Sequence, residues 1–594
     1  MFRHRWFFLA GLVSLLLFTG LSLGVRWYAN SANPAASEIL LADASSSEEP
    51  PPLTLPSSER EYLWQLEHHG NLLTRHGFSA LGGALRQGDA AALTALLSAD
   101  FTGQVPQHPR EARLDADFAQ VIRQEDTGEQ PLLLDRTQFV ARLLAYRRLF
   151  PRPPQVKLAL MALAPTVRGD LDSLWQGACQ LRMWGEVASG QPGEVVLYLQ
   201  YRLPCPTEEI LNQSGWLRSC TILQSQEARA PRSLLREVTA ERGIDSRRFH
   251  DNWTLSAGQP LEPVTGGVYL CDYDRDGILD LLITDVTGYT LYKGRSGGKF
   301  EDVTLRVGLL GILPPQAETK LLAAFADLDG DGWEDLILGD RIYRNERGQR
   351  FKDVTQRSNL HFPADATGIA VADFDRDGRI DLYVTRHGRS RKDSWIEGKS
   401  GDPDGNHLWR NLGDWRFQDV TASSGTAGGQ RSSFTAIWFD ADNDGWPDLY
   451  VVNEFGNGVL LHNEGNGRFR EHSLVKGAGD FGSMGATCGD IDNDGSIDLY
   501  IANMYSKAGN RVIGNLRPGT YSSDITARLR SLVAGSQLYF NRSGLRFEPV
   551  GPKYQVSAIG WAYGAALVDL DNDGWLDLYA TCGYVSKSRT EPDG

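Results

Sequence analysis

Residues 300–345 contain Phe300-Glu-Asp-Val-Thr304, then Asp327-Leu-Asp-Gly-Asp-Gly-Trp-Glu-Asp335, then Ile342-Tyr-Arg-Asn345. These three pieces recur through the second half of the chain, and their recurrence decides the fold. The first piece returns as Leu235–Thr239, Phe351–Thr355, Phe417–Thr421, Phe469–Ser473 and Phe547–Gly551. The third returns as Leu408–Asn411, Leu460–Asn463 and Leu538–Asn541, with Leu291-Tyr-Lys-Gly294 as a variant. The acidic nonapeptide begins at Asp272, Asp327, Asp373, Asp440, Asp490 and Asp569, at intervals of 55, 46, 67, 50 and 79 residues. Four short strands with their loops fill such an interval, which is the size of one blade of a β-propeller. The longer intervals hold insertions at about 386–407, basic at its start (Arg386, Arg389, Arg391, Lys392), and at about 504–537.

Each nonapeptide carries Asp at positions 1, 3, 5 and 9 and Gly at position 6. The candidate metal ligands are therefore Asp272, Asp274, Asp276 and Asp280; Asp327, Asp329, Asp331 and Asp335; Asp373, Asp375, Asp377 and Asp381; Asp440, Asp442, Asp444 and Asp448; Asp490, Asp492, Asp494 and Asp498; and Asp569, Asp571, Asp573 and Asp577. Ca2+ takes six to eight hard oxygen ligands, and a tight acidic loop turning at Gly can converge several carboxylates on one point. An EF-hand begins similarly but needs Glu at position 12 and flanking helices. Here position 12 is Ile283, Leu338, Val384, Val451, Ile501 and Ala580, and the flanks alternate like strands. The alternative is a set of solvated turns satisfied by water. Six intact copies argue against it, on the premise that packing needs none of these carboxylates. The formal charge of −15 would become +9 without the 24 motif carboxylates, and six Ca2+ ions would bring it to −3.

On these motifs residues 233–594 resemble the FG-GAP/VCBS repeat proteins, in a pattern similar to the ASPIC/UnbV–cartilage acidic protein group and the integrin α propeller. The resemblance implies a seven-bladed propeller with Ca2+ in each acidic hairpin. Six hairpins are visible, and the sequence stops at Gly594, before the third strand of the last repeat. The propeller is therefore expected to be incomplete at its C-terminal end, or to be closed by an N-terminal strand.

Upstream, residues 1–28 read as a signal peptide or membrane anchor. Arg3 and Arg5 precede an uncharged run from Trp6 to Val25, whose length favours an anchor, while Asn30-Ser31-Ala32 offers a cleavage site. The basic flank places the rest outside the cytoplasm. Residues 29–59, rich in Ser, Pro, Ala and Glu, read as a disordered linker. Residues 60–232 read as an α+β domain. Asp89 and Asp135 are expected helix N-caps. Val156, Leu158, Leu160 and Ala162 should share one strand face, as should Cys179, Leu181 and Met183, and then Val195 to Leu203. This order resembles the NTF2-like fold.

Cys179, Cys205 and Cys220 could form one disulfide or remain buried thiols. Acidity speaks against a nucleic-acid partner. No convincing catalytic constellation is present: Gly294-Arg-Ser-Gly-Gly298 leads into a strand rather than a helix, and His68-His69 reads as a solvated helix face. Arg168-Gly-Asp170 spells an adhesion tripeptide whose chance occurrence in a chain of this length is about one in three, so it is set aside; Asn212, Asn252 and Asn541 lie in glycosylation sequons. Trp333, Trp446 and Trp575 are expected to pack in the core beside the loops. The sequence thus reads as an exported calcium propeller that binds a protein or carbohydrate ligand, with membrane attachment if the anchor is retained. The alternative is a lyase-like, polysaccharide-active enzyme using basic residues of the first insertion.

Overall fold

The computed structural model describes residues 55–116, 118–233, 235–250, 266–285, 288–312, 322–363, 365–388, 396, 405–474 and 479–582. The apolar run Trp6–Val25, most of the linker, Asn252, and Arg389, Arg391 and Lys392 lie outside these residues. Among the described residues, no helix is long and apolar enough to cross a membrane. Two compact units are present. One is drawn from 55–237 together with 507–520, the other from 238–506 and 521–582.

The first unit sets helices against one eight-stranded sheet. Its strands are β1 (Leu97–Val105), β2 (Arg110–Asp115), β3 (Gln120–Glu125), β4 (Leu132–Leu134), β5 (Gln155–Pro165), β6 (Trp175–Glu186), β7 (Pro192–Leu203) and β8 (Leu217–Arg229). They run in the order β2-β3-β8-β7-β6-β5, with β1 pairing to both β4 and β8. Alternation places Cys179, Leu181, Met183, Val195, Leu197, Leu199, Tyr201 and Leu203 in the core, as the pattern predicts. The expected face of β5 breaks halfway. A register shift between Leu160 and Ala162 turns Ala162 outward and brings Leu163 in, as a bulge does.

Helices α1 (Ser57–Leu72), α2 (Ser79–Gln87), α3 (Ala90–Leu96) and α4 (Arg136–Arg147) belong to this unit. The Asp89 side chain accepts from Ala92 N at 2.9 Å to start α3. Asp135 and Gln138 form a reciprocal capping box at α4, with bonds of 2.8 and 3.0 Å. His68 is exposed as expected, but His69 is buried, its Nδ1 3.2 Å from the Pro206 carbonyl.

Helix α5 (Lys507–Asn515) also belongs here, although the sequence pattern reads it as a propeller insertion. Arg511 reaches Glu67 at 2.6 Å and the Leu160 carbonyl at 3.0 Å. Glu59, itself buried, accepts from Arg168 and from Arg517 N at 2.6 and 2.9 Å. Arg168 also lies over the Tyr62 ring, so the Arg-Gly-Asp string is tied down within the unit.

The second unit is a β-propeller arrangement of five four-stranded blades. Blade 1 consists of Gly267–Cys271, Asp280–Asp285, Gly288–Arg295 and Lys299–Asp302. Blades 2 to 5 span 323–353, 366–419, 432–472 and 483–549, and a two-stranded sheet, Ala562–Val568 with Asp577–Cys582, follows. Every pairing within the blades is antiparallel, and the first strands of successive blades are neighbours in chain order. The acidic nonapeptide joins strand 1 to strand 2 in each blade. Strand 2 is almost wholly buried; Leu449, Tyr450, Val451 and Val452 are 0% exposed.

Blade-to-blade order rests on the Asn that ends strand 3. Asn411 Nδ2 donates to the Ile380 carbonyl of its own hairpin at 3.0 Å and to the Leu328 carbonyl of the preceding hairpin at 2.9 Å. Asn345, Asn463 and Asn541 repeat the bridge, reaching Tyr273, Phe374 and Ala441 at 2.8, 2.9 and 2.7 Å. All four side chains are at most 1% exposed, so Asn541 is closed to glycosylation in the folded protein. Blade 1 carries Gly294 at this position, and among the described residues no hairpin precedes it for an Asn to reach.

Asn411→Ala strands two buried carbonyls and should cost about 2–4 kcal/mol. Urea unfolding in chelator measures this, with exposed Asn212→Ala as a silent control.

Candidate metal centres

The four carboxylates of each hairpin do different work. The position 1 Asp organises the turn. Asp373 accepts from Asp377 N at 2.9 Å and Gly378 N at 2.8 Å, and Asp272, Asp327, Asp440, Asp490 and Asp569 repeat this pattern. Position 4 adopts the left-handed backbone at Arg275, Gly330, Arg376, Asn443, Asn493 and Asn572, with φ between 55° and 73°. For Arg this is a costly conformation. Both arginines lie over a Trp of the next hairpin: Arg275 over Trp333 and Arg376 over Trp446, each 5.3 Å from the ring. Trp333 and Trp446 are therefore half-buried hairpin-to-hairpin contacts, and Trp575 is 53% exposed, rather than the core residues expected from sequence. Asn443 makes the corresponding link by donating to the Gly495 carbonyl at 3.1 Å.

The position 5 Asp closes the turn by accepting from the position 7 N–H, at 2.8–3.1 Å in all six copies. The position 9 Asp opens strand 2 and is buried in blades 1 to 5. One oxygen of Asp381 accepts from Phe374 N at 3.1 Å, the other from Asn411 N at 2.7 Å. Asp280, Asp335, Asp448 and Asp498 hold the same pair of bonds. Packing therefore does use these carboxylates, contrary to the premise drawn from sequence, because positions 1 and 9 saturate backbone donors that would otherwise be orphaned. Burial, opposed by those N–H groups and reinforced by nearby acids, pushes Asp280 and Asp498 up to about 6 and Asp335 and Asp381 up to about 7.

Position 3 is different. The Oδ1 atoms of Asp274, Asp375, Asp442 and Asp492 are buried and have no hydrogen-bond donor. A buried, unpaired carboxylate oxygen is costly, and it is the atom a cation would satisfy. The structure brings carboxylates of one hairpin together, including Asp272, Asp274 and Asp276; Asp327, Asp329 and Asp335; Asp373, Asp375 and Asp381; and Asp440, Asp442 and Asp444. Their ligand atoms lie within 4.8 Å of one another, compatible with oxygens on opposite sides of a Ca2+ ion at about 2.3–2.6 Å. All-oxygen donor sets favour a hard cation, so the residues fit Ca2+. The fourth hairpin adds His462, whose Nδ1 is 3.0 Å from Asp448.

A family description, FG-GAP-like repeat, matches residues 272–338, 327–384 and 440–501. These are FG-GAP-like repeats. Cartilage acidic protein 1 of Mus musculus is 24% identical over 240 residues, covering 36% of this chain and 36% of that protein. The match thus spans about a third of the curated relative's length. Among solved structures, a lectin of Agrocybe aegerita that recognises non-reducing terminal N-acetylglucosamine aligns with 13% identity and a TM-score of 0.32, over 80% of this chain and 95% of its own. An NTF2 protein with a long sheet aligns with 10% identity and a TM-score of 0.15, over 26% of this chain and 94% of its own.

Both insertions leave the FG-GAP-like blades between strands 2 and 3, at the end of strand 2 opposite the acidic hairpins. His387, partly exposed, lies 2.6 Å from the buried Glu454 at that same strand end. Of the basic residues of the first insertion, Arg386 is paired with Asp365 at 3.0 Å, and Arg389, Arg391 and Lys392 lie outside the described residues. All six cysteines are free, and Cys179 and Cys220 are buried thiols.

The division of labour is testable in chelator. Asp381→Asn turns an amide N–H onto a backbone donor and should cost about 2–3 kcal/mol. Asp375→Asn should stay within about 1 kcal/mol of the parent, because its pairing is partly solvated and the loop is already crowded with acid. Urea unfolding of the two variants distinguishes them.

Proposed function

We propose that this chain is an exported, calcium-carrying β-propeller acting as a protein- or glycan-binding and adhesion module. The observation that carries the calcium reading is the buried, donorless Oδ1 at position 3 of four hairpins. Ca2+ held by the hairpin carboxylates would neutralise acids that the fold brings within 4.8 Å of one another, and so stiffen the turn. FG-GAP-like propellers are commonly ligand-binding modules, and the connections between strands 2 and 3 offer the longest loops to a partner. The first of these is the better candidate, because α5 of the second makes its contacts within the other unit. Export rests on the N-terminal run.

The completed ring is read as seven-bladed and the first unit as NTF2-like. A neighbouring blade next to blade 1 is supported by Phe300 N donating to the Arg242 carbonyl at 2.7 Å, the counterpart of Phe351 N to Val307 at 2.7 Å. Residues 235–244 then correspond to the outer end of a blade.

Capture of cell-surface proteins and printed glycans by the immobilised protein tests the binding reading. Retention should be reproducible with 1 mM-scale calcium and fall at least about tenfold in chelator, a change of about 1.4 kcal/mol. Blank capture with calcium present contradicts it.

A further inference from the structure

The hairpins are not purely acidic. Strand 3 carries a basic side chain to the outer oxygens of positions 3 and 5 in blade after blade. Lys293 contacts the Oδ2 atoms of Asp274 and Asp276, the latter at 2.7 Å. Arg344 lies 2.8 Å from Oδ2 of both Asp329 and Asp331. Arg410 reaches Oδ2 of Asp375 at 2.5 Å and of Asp377 at 3.0 Å. In blade 5 the corresponding residue is Phe540. There Arg542, just past the end of the strand at Asn541, reaches Oδ2 of Asp492 at 2.8 Å and of Asp494 at 3.5 Å. The charge comes from a different position but meets the same oxygens, so the contact belongs to the hairpin and not to one sequence position. Blade 4 has His462 in this place, 3.8 Å from Oδ2 of Asp442.

We infer that Lys293, Arg344, Arg410 and Arg542 are tethered counter-ions that compete with the metal for the position 3 and position 5 carboxylates. The inference rests on the calcium reading of the same hairpins. Without metal, each basic side chain offsets one of four crowded negative charges and lets the loop fold. It satisfies the outer oxygens only, and the inner Oδ1 of Asp274, Asp375 and Asp492 stays unpaired. A divalent ion entering the loop needs these same carboxylates and meets a fixed positive charge a few ångströms away. Side chain and metal therefore trade places on the carboxylates, and metal affinity is lowered in exchange for a metal-free loop that holds together. Arg344, Arg410 and Arg542 are 37–39% exposed, so each can swing into solvent when displaced, whereas Lys293, 8% exposed, has less freedom.

The test is the full chain carrying Arg344→Met and Arg410→Met, beside a control carrying Arg344→Lys and Arg410→Lys, which keeps the charge. Calcium titration calorimetry and melting in chelator are read on all three proteins. The Met variant should bind Ca2+ at two sites about tenfold more tightly than the parent, the size expected for removing one unit charge near a divalent ion in water-like surroundings. Its melting temperature in chelator should fall, its gain on adding calcium should grow, and the Lys control should track the parent. Parent uptake of Ca2+ with unchanged or weakened affinity in the Met variant overturns the counter-ion role and leaves the calcium reading standing. No uptake by parent or variant overturns both. A Met variant that fails to fold in chelator but folds with calcium supports the inference.

Discussion

The Asp at position 9 of the hairpin, buried at the start of strand 2 in blades 1 to 5, ties strand 2 to its own hairpin loop and to strand 3 with one carboxylate. One oxygen takes an N–H from the strand 1–2 loop, the other takes the N–H of the residue ending strand 3, as Asp381 does with Phe374 and Asn411. That second residue is Asn in four blades, and its side chain reaches back to the preceding hairpin. A single acid thus fixes the blade internally and, through Asn, fixes its neighbour. These are charge-assisted bonds in a buried setting, where an unmade partner is expensive. The repeat tolerates loops of very different length because this node is insulated from them.

The same economy creates an electrostatic difficulty. Four acids in nine residues repel one another, and burial makes the position 9 charge harder still to keep. The protein meets this in layers. Backbone N–H groups saturate positions 1 and 9, a strand 3 cation faces the outer oxygens of positions 3 and 5, and the inner position 3 oxygen is left without a donor. What remains unsatisfied is small, specific and repeated, which is how a metal requirement differs from a merely acidic turn.

The repeat unit and its strands were legible from residues alone because Asp-x-Asp-x-Asp-Gly-x-x-Asp leaves little conformational choice. The caps at Asp89 and Asp135 were legible for the same local reason. Helix α2 was not read, and α1 was read only as a helix face at His68-His69. Their buried stripes pass through Gly70 and Gly82, where a Cβ would meet Leu160 at 3.0 Å and Leu158 at 3.3 Å, so the close packing on β5 is bought with residues that hide the apolar period. The bulge at Leu160–Ala162 reversed half of one strand face, and no residue type announces it. Long-range roles were equally invisible. Asn411 looks like a turn residue until the preceding blade is beside it, Trp333 and Trp446 look like core until the neighbouring arginine covers them, and α5 looks like a propeller loop until Arg511 meets Glu67.

Equilibrium dialysis against calcium, with metal counted per folded chain, tests the central claim most directly. The account predicts saturable uptake of several ions per chain, approaching one for each acidic hairpin, with the folded state retained. A folded protein that takes up no calcium at millimolar concentration would contradict it.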